Sequence, residues 1–310
     1  MERSVTEFVT AESVAEQGSH APRVVLPSGT GGFSVRASRF RQLAPGHAMA
    51  DFLRLMGDVS GAQSWAVRRR SAESVASCAL AASREHGMPP LNATMHARSS
   101  TWTRDLHDIV EAMAPLGRAR EALATVMSRS APELDEAADR LLAGASTDEE
   151  GAEVPFIGAA LQVYFGRLAA TLQVEDLEQC DVPTLCPVCG SRPVASVVRA
   201  VGSKAGLRYL VCGLCATEWN LPRIKCSYCE EDRGLQYFGL EAAEARIGSA
   251  SWRAEACDEC RTYLKIFYQD KDPQADPVAD DLASLVLDML LDERGYSRSG
   301  PNFLFHPGTG

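Results

Sequence analysis

A multidomain chain, an all-α domain followed by a smaller β half built around metal sites, is the fold class this sequence predicts, and three observations predict it. Nine of the ten cysteines fall after residue 179. Upstream of them, apolar residues recur at three- and four-residue spacing, the period of a helix face. Downstream of Pro183 this period gives way to short runs rich in Val, Tyr, Phe and Trp, which read as strands. With 310 residues, 45% of them hydrophobic and 23% charged, the chain is long enough for two domains with cores of their own. The expected division is a mobile or loosely docked tail over 1–32, a helical domain over 33–180, a first metal module over 181–222, a second over 223–272, and a C-terminal helix and tail over 273–310.

The tail ends in Pro27-Ser28-Gly29-Thr30-Gly31-Gly32, a turn-rich stretch. No Gly-Lys-Ser/Thr follows, so these glycines do not form a phosphate loop. The spacing of Phe52, Leu53, Leu55 and Met56 predicts a helix. Others are expected at about 101–127 (Leu106, Ile109, Val110, Met113), 131–143 and 155–173 (Leu161, Tyr164, Phe165, Leu168). Breaks are expected at Gly87-Met88-Pro89-Pro90, at the acidic stretch from Thr147 to Gly151, and at Pro183. Strand-type runs cover 193–201, 206–212, 234–240 and 262–268. Asp276 as N-cap and Pro277 at the first helical position open a last helix before Gly295. Its expected apolar face is Val278, Leu282, Leu285, Val286, Met289 and Leu290. Asp280 and Asp281 are read as acids favoured by the helix dipole.

Eight cysteines form four Cys-x-x-Cys pairs within 75 residues, and all six histidines lie elsewhere. Two pairs on neighbouring hairpins can supply four thiolates to one tetrahedral ion. Gaps of 22, 10 and 27 residues separate successive pairs, and a two-stranded hairpin fits the two longer gaps better. Sequential pairing follows. One site would use Cys186, Cys189, Cys212 and Cys215; the other would use Cys226, Cys229, Cys257 and Cys260. Roughly 80 residues divided between two ribbons bury little apolar surface, whereas a structural tetrathiolate site supplies an apparent ~10–16 kcal/mol. Metal should therefore hold this half together, as two mononuclear ions per chain. Tetrahedral sulfur suits zinc, an inert scaffold, and iron, a redox centre, almost equally. On this division, Cys212→Ser should unravel the first ribbon and spare the helices of 33–177. Cys78, in an Ala-rich helical run, reads as a small core residue, and Cys180 as a boundary residue.

The first ribbon carries Arg192, Arg199, Lys204, Arg208, Arg223 and Lys225 against Glu218 alone. Single-stranded nucleic acid is one explanation of such a surface when Tyr209 and Trp219 lie within it. The simpler one is that these cations offset the negative charge of a four-thiolate metal site and bond to its sulfurs. A formal charge of -10 disfavours nucleic acid as a partner. No run of about 18 apolar residues occurs, which excludes membrane insertion by a helix. Glu2, Glu7 and Glu12 interrupt the first fifteen residues, and a cytoplasmic protein is expected. No catalytic constellation is visible: Gly-x-Ser-x-Gly, His-Glu-x-x-His and dinucleotide glycine patterns are absent. A closed tetrathiolate site leaves no position for a metal-activated water. His86, His96 and His107 fall in the helical region, where a lone histidine is usually structural.

Several stretches carry a resemblance. Cys186-Pro187-Val188-Cys189-Gly190-Ser191, Leu207-Arg208-Tyr209-Leu210, Cys212 to Trp219, Arg223 to Cys229, Cys257-Asp258-Glu259-Cys260, Tyr263-Leu264-Lys265 and Ala279-Asp280-Asp281-Leu282-Ala283 closely resemble the formate dehydrogenase accessory protein (FdhE) family. Upstream, Leu43-Ala44-Pro45-Gly46-His47, Val163-Tyr164-Phe165 and Leu168-Ala169-Ala170 extend the likeness to about residues 30–305. The resemblance implies a helical N-terminal domain followed by tandem rubredoxin-like (zinc-ribbon-like) modules, with iron as the associated metal. It also implies a non-enzymatic assembly factor or chaperone acting on the catalytic subunit of a respiratory formate dehydrogenase. A rubredoxin-like electron carrier and a zinc-ribbon nucleic-acid-binding protein are the alternatives.

Overall fold

The computed structural model describes residues 21–177, 182–200, 202–240 and 251–308. A short strand, β1 (Val24–Val25), precedes helices α1 (Phe33–Leu43), α2 (Ala50–Ala66), α3 (Ser77–His86), α4 (Thr101–Met113), α5 (Arg120–Ser128), α6 (Ala131–Leu142) and α7 (Val154–Ala169). Every residue of α7 is buried. Its neighbours include α2, α4 and α6. Gly158 makes the packing possible, because a Cβ there would lie 1.8 Å from the Phe303 carbonyl oxygen. The single helix expected over 101–127 is interrupted. Pro115 turns the chain through a 3-10 segment, Gly117 and Ala119 take left-handed backbone, and α5 restarts at Arg120.

The β half is one sheet rather than two free-standing ribbons. Strands β2 (Pro193–Val198), β3 (Arg208–Cys212), β4 (Glu218–Asn220), β5 (Leu235–Phe238), β6 (Trp252–Cys257) and β7 (Thr262–Tyr268) assemble in the order β1-β4-β3-β2-β7-β6-β5. A parallel pair, Ser196 to Ile266 and Val198 to Tyr268, joins the two antiparallel halves. β8 (Ser297–Arg298) adds a short parallel pair at Thr262 and Tyr263. At the other edge, Val24 pairs with Trp219, so the chain just before α1 forms the outermost strand. Neither β6 nor β4 stood among the expected strands. β6 reads Trp-Arg-Ala-Glu-Ala-Cys and lacks a β-branched residue, yet it is almost wholly buried between β5 and β7. Tertiary placement, rather than propensity, makes it a strand.

Asp276 caps α8 (Pro277–Ala283), accepting from the amides of Val278 and Ala279. The expected continuous last helix breaks at Ser284, whose backbone (φ −109°, ψ 28°) leaves the helical range, and α9 (Leu285–Asp292) follows. Its buried face is accordingly Leu287 and Leu291, while Val286 and Met289 are exposed. Asp280 and Asp281 likewise depart from expectation. Both are fully buried and sit in ion-pair networks, so the helix dipole is not a sufficient reason for them. Arg39 of α1 donates to both Asp280 oxygens (2.6 and 2.9 Å), which also accept from Trp252 Nε1 (2.7 Å) and the Asp276 amide (2.8 Å). Asp281 binds Arg298 (2.7 Å), Asn302 (2.8 Å) and Lys265 (3.2 Å). These groups tie the first helix, the sheet and the C-terminal segment together. Among the described residues, no helix is long and apolar enough to cross a membrane.

Candidate metal centres

Four knuckles of one design present the eight paired cysteines. In each, the amide after the second cysteine donates to the carbonyl of the first: Gly190 to Cys186 (2.8 Å), Ala216 to Cys212 (3.2 Å), Glu230 to Cys226 (3.1 Å) and Arg261 to Cys257 (2.9 Å). The residue that closes this turn has a positive φ, from 55° at Arg261 to 74° at Gly190. Glycine adopts that conformation freely; Ala216, Glu230 and Arg261 hold it at a cost. Sulfur atoms are thereby turned inward, where amides reach them. Leu214 and Cys215 donate to Cys212 Sγ, and Tyr228 donates to Cys226 Sγ, each at 3.4 Å.

Sequence order correctly anticipates which knuckles meet. Cys186, Cys189, Cys212 and Cys215 form one group and Cys226, Cys229, Cys257 and Cys260 another, with the sulfurs of each group within 4.8 Å of one another. The nearest cross-pair sulfurs are 3.4 Å (Cys189 and Cys212) and 3.5 Å (Cys186 and Cys215) apart in the first group and 3.8 Å apart in the second. An ion bonded to four sulfurs at about 2.3 Å requires tetrahedral edges of about 3.8 Å, so both sets fit such an ion. All eight are free thiols, which removes the disulfide alternative. Burial pushes the Cys186 and Cys212 thiols well above their ordinary range. Four thiolates can share so dry a space only around a cation, and its binding would release protons.

The first centre is enclosed by the helical half. Leu91 and Ala93 donate their amides to Val188 (2.9 Å) and Cys189 (2.8 Å), and Gln162 of α7 donates to the Gly213 carbonyl (2.6 Å). Gln162 in turn accepts from Gln63 of α2 at 2.8 Å. All four sulfur-bearing residues of this centre are buried. In the second centre Cys226 and Cys257 are buried and Cys229 and Cys260 partly exposed.

The basic side chains of the first ribbon do not serve the sulfurs, contrary to expectation. Arg199 and Lys204 pair with Glu218, while Arg208 forks onto both oxygens of Glu255 (2.6 Å each), an acid of the opposite half. Arg223 donates to the Gly206 carbonyl, Lys225 lies 3.9 Å from Glu230, and the Arg192 guanidinium stacks 3.8 Å over the Tyr228 ring. Hydroxyls meet the sulfurs instead: Ser191 lies 3.4 Å from Cys189, Thr217 3.2 Å from Cys215 and Thr262 3.0 Å from Cys260. The signal for these partners is in the sequence, a Ser or Thr two residues after the second cysteine. The third knuckle breaks the pattern with Glu231. Cys78 is exposed rather than in the core, and Cys180 lies outside the described residues. His86, His96 and His107 do not form a donor set among the described residues; His96 instead bonds the Tyr164 hydroxyl at 3.2 Å.

Three family models match successive stretches of the chain: FdhE N-terminal over residues 21–181, FdhE central domain over 185–223 and FdhE C-terminal domain over 224–305. A relative named Protein FdhE homolog from Cronobacter sakazakii is 38% identical over 292 residues, 93% of each chain. Protein FdhE from Salmonella typhimurium is 36% identical over the same share of both. Among solved structures, the crystal structure of the FdhE protein from Pseudomonas aeruginosa matches with a TM-score of 0.81 and 39% identity. It covers 93% of this chain and 100% of its own.

Proposed function

Because the chain belongs to the FdhE family, we propose that it is a cytoplasmic accessory factor for a respiratory formate dehydrogenase, binding the catalytic subunit and promoting formation of active enzyme without turning over formate itself. The observation that carries this reading is the pair of all-cysteine centres in a chain matched by the FdhE family models. Cys186, Cys189, Cys212 and Cys215 would hold one ion, and Cys226, Cys229, Cys257 and Cys260 the other. Bound there, each ion cross-links distant stretches of chain and neutralises thiolates. Family resemblance favours iron, and the donor set suits zinc equally. The protein's own residues then provide a rigid sheet backed by helices. Co-purification with a formate dehydrogenase catalytic subunit, lost when knuckle cysteines are changed, is the expected result. Full formate dehydrogenase activity in a strain lacking the protein would end this reading.

A rubredoxin-like electron carrier is the second reading, favoured by the partial exposure of Cys229 and Cys260. Iron with a reversible potential would support it; zinc in the native protein would remove it. A nucleic-acid role finds less support, because the ribbon cations already pair with carboxylates, carbonyls or aromatic rings.

A further inference from the structure

We propose that the two centres are unequal: the first is a closed structural centre, and the second is an exchangeable site for a soft divalent cation that opens at Cys229. This proposal rests on the metal-site reading above and extends it. Three features of the structure carry it. The first centre buries all four cysteines beneath the 91–93 segment and α7, whereas the second leaves Cys229 and Cys260 partly exposed. The second cysteine of each other knuckle has a hydroxyl within 3.4 Å, from Ser191, Thr217 or Thr262. Cys229 has Glu231 at that position, and the Glu231 side chain is exposed. The backbone there follows the other knuckles, since Cys226 N donates to the Glu231 carbonyl at 2.8 Å as Cys186 N does to Ser191 at 3.0 Å. What differs is the side chain, not the turn.

The fold also permits the second centre to empty without collapse. β7 is held to β2 by the parallel pair, and Trp252 and Lys265 anchor β6 and β7 to α8 through Asp280 and Asp281. Ligand exchange at a thiolate centre needs an incoming group to reach a sulfur or the ion. Among the described residues, only the second centre offers that approach.

The test uses the full chain loaded with zinc and challenged with the chromogenic chelator 4-(2-pyridylazo)resorcinol. Release in two phases of equal amplitude is expected. Cysteines modified by N-ethylmaleimide during the fast phase, mapped by mass spectrometry, should be Cys226, Cys229, Cys257 and Cys260. Glu231→Thr, which restores the hydroxyl, should slow the fast phase by about tenfold and leave the slow phase unchanged, in line with the usual effect of outer-shell partners on metal affinity. Release in a single phase, earlier labelling of Cys186 or Cys212, or no effect of Glu231→Thr would overturn the inequality while leaving two metal sites. A chain that binds no zinc or iron would overturn the metal-site reading itself.

Discussion

Replacing Asp280 by alanine strikes the point where the first helix, the sheet and the C-terminal segment converge. Asp280 and its main partners, Arg39 and Trp252, are all almost completely shielded from water. Alanine removes four hydrogen bonds and leaves the Arg39 guanidinium facing Asp272 alone, at 2.6 Å. Breaking one side of a buried ion pair costs about 3–5 kcal/mol, and that range already includes much of the penalty for the stranded donors. We therefore expect a loss of about 4 kcal/mol, close to a thousandfold in the folded-to-unfolded ratio. Urea denaturation followed by both circular dichroism and tryptophan fluorescence measures it. Replacing both partners, Arg39→Met with Asp280→Leu, should recover much of the loss, because an apolar pair leaves no buried charge unpaired. A single-variant loss below about 1 kcal/mol, or strictly additive effects in the double variant, would refute the assigned role of this pair.

Other consequences can be checked in the same way. Cys212→Ser should reduce bound metal from two ions to one, read by elemental analysis. It should also lower helical ellipticity, because α7 has no solvent face and packs beside the first knuckles; unchanged helicity would restore the separability expected from sequence. Ala216→Gly relieves a left-handed alanine (φ 61°) and should raise stability by up to about 1 kcal/mol with metal content unchanged, as measured by denaturant titration. The Arg140 hydrogen bond holds the Glu150 carboxyl below its ordinary value of 4.5. Its contribution to stability should be fully present above that pH and vanish as pH falls through the lowered value. The stability gap between wild type and Glu150→Gln should therefore narrow on acidification, and a gap independent of pH would contradict the assignment.

Spacing alone was enough to anticipate the two cysteine groups, since the 22- and 27-residue gaps accommodate a hairpin better than the 10-residue gap between them. Helix α6 was legible from its one-sided apolar period after Pro132, and α7 from a nearly continuous apolar run after Pro155. The buried acids were not. Asp280 and Asp281 occupy positions where an exposed acid would be equally ordinary, and their partners Arg39, Lys265 and Arg298 are remote in sequence. The break at Ser284 was hidden because Leu285, Val286 and Met289 continue the apolar composition across the non-helical residue. Likewise the pairing of β2 with β7 depends on placement across the sheet, which no local period reports.

The pairing of Val24 with Trp219 and of Arg39 with Asp280 gives the order of synthesis a physical consequence. The leading portion of the polypeptide cannot reach its final partners until nearly the whole chain has left the ribosome. Contacts of such long sequence separation close slowly. A nascent chain cut off before residue 280 would thus lack partners at both ends, so premature termination should yield degradable fragments rather than a stable partial scaffold.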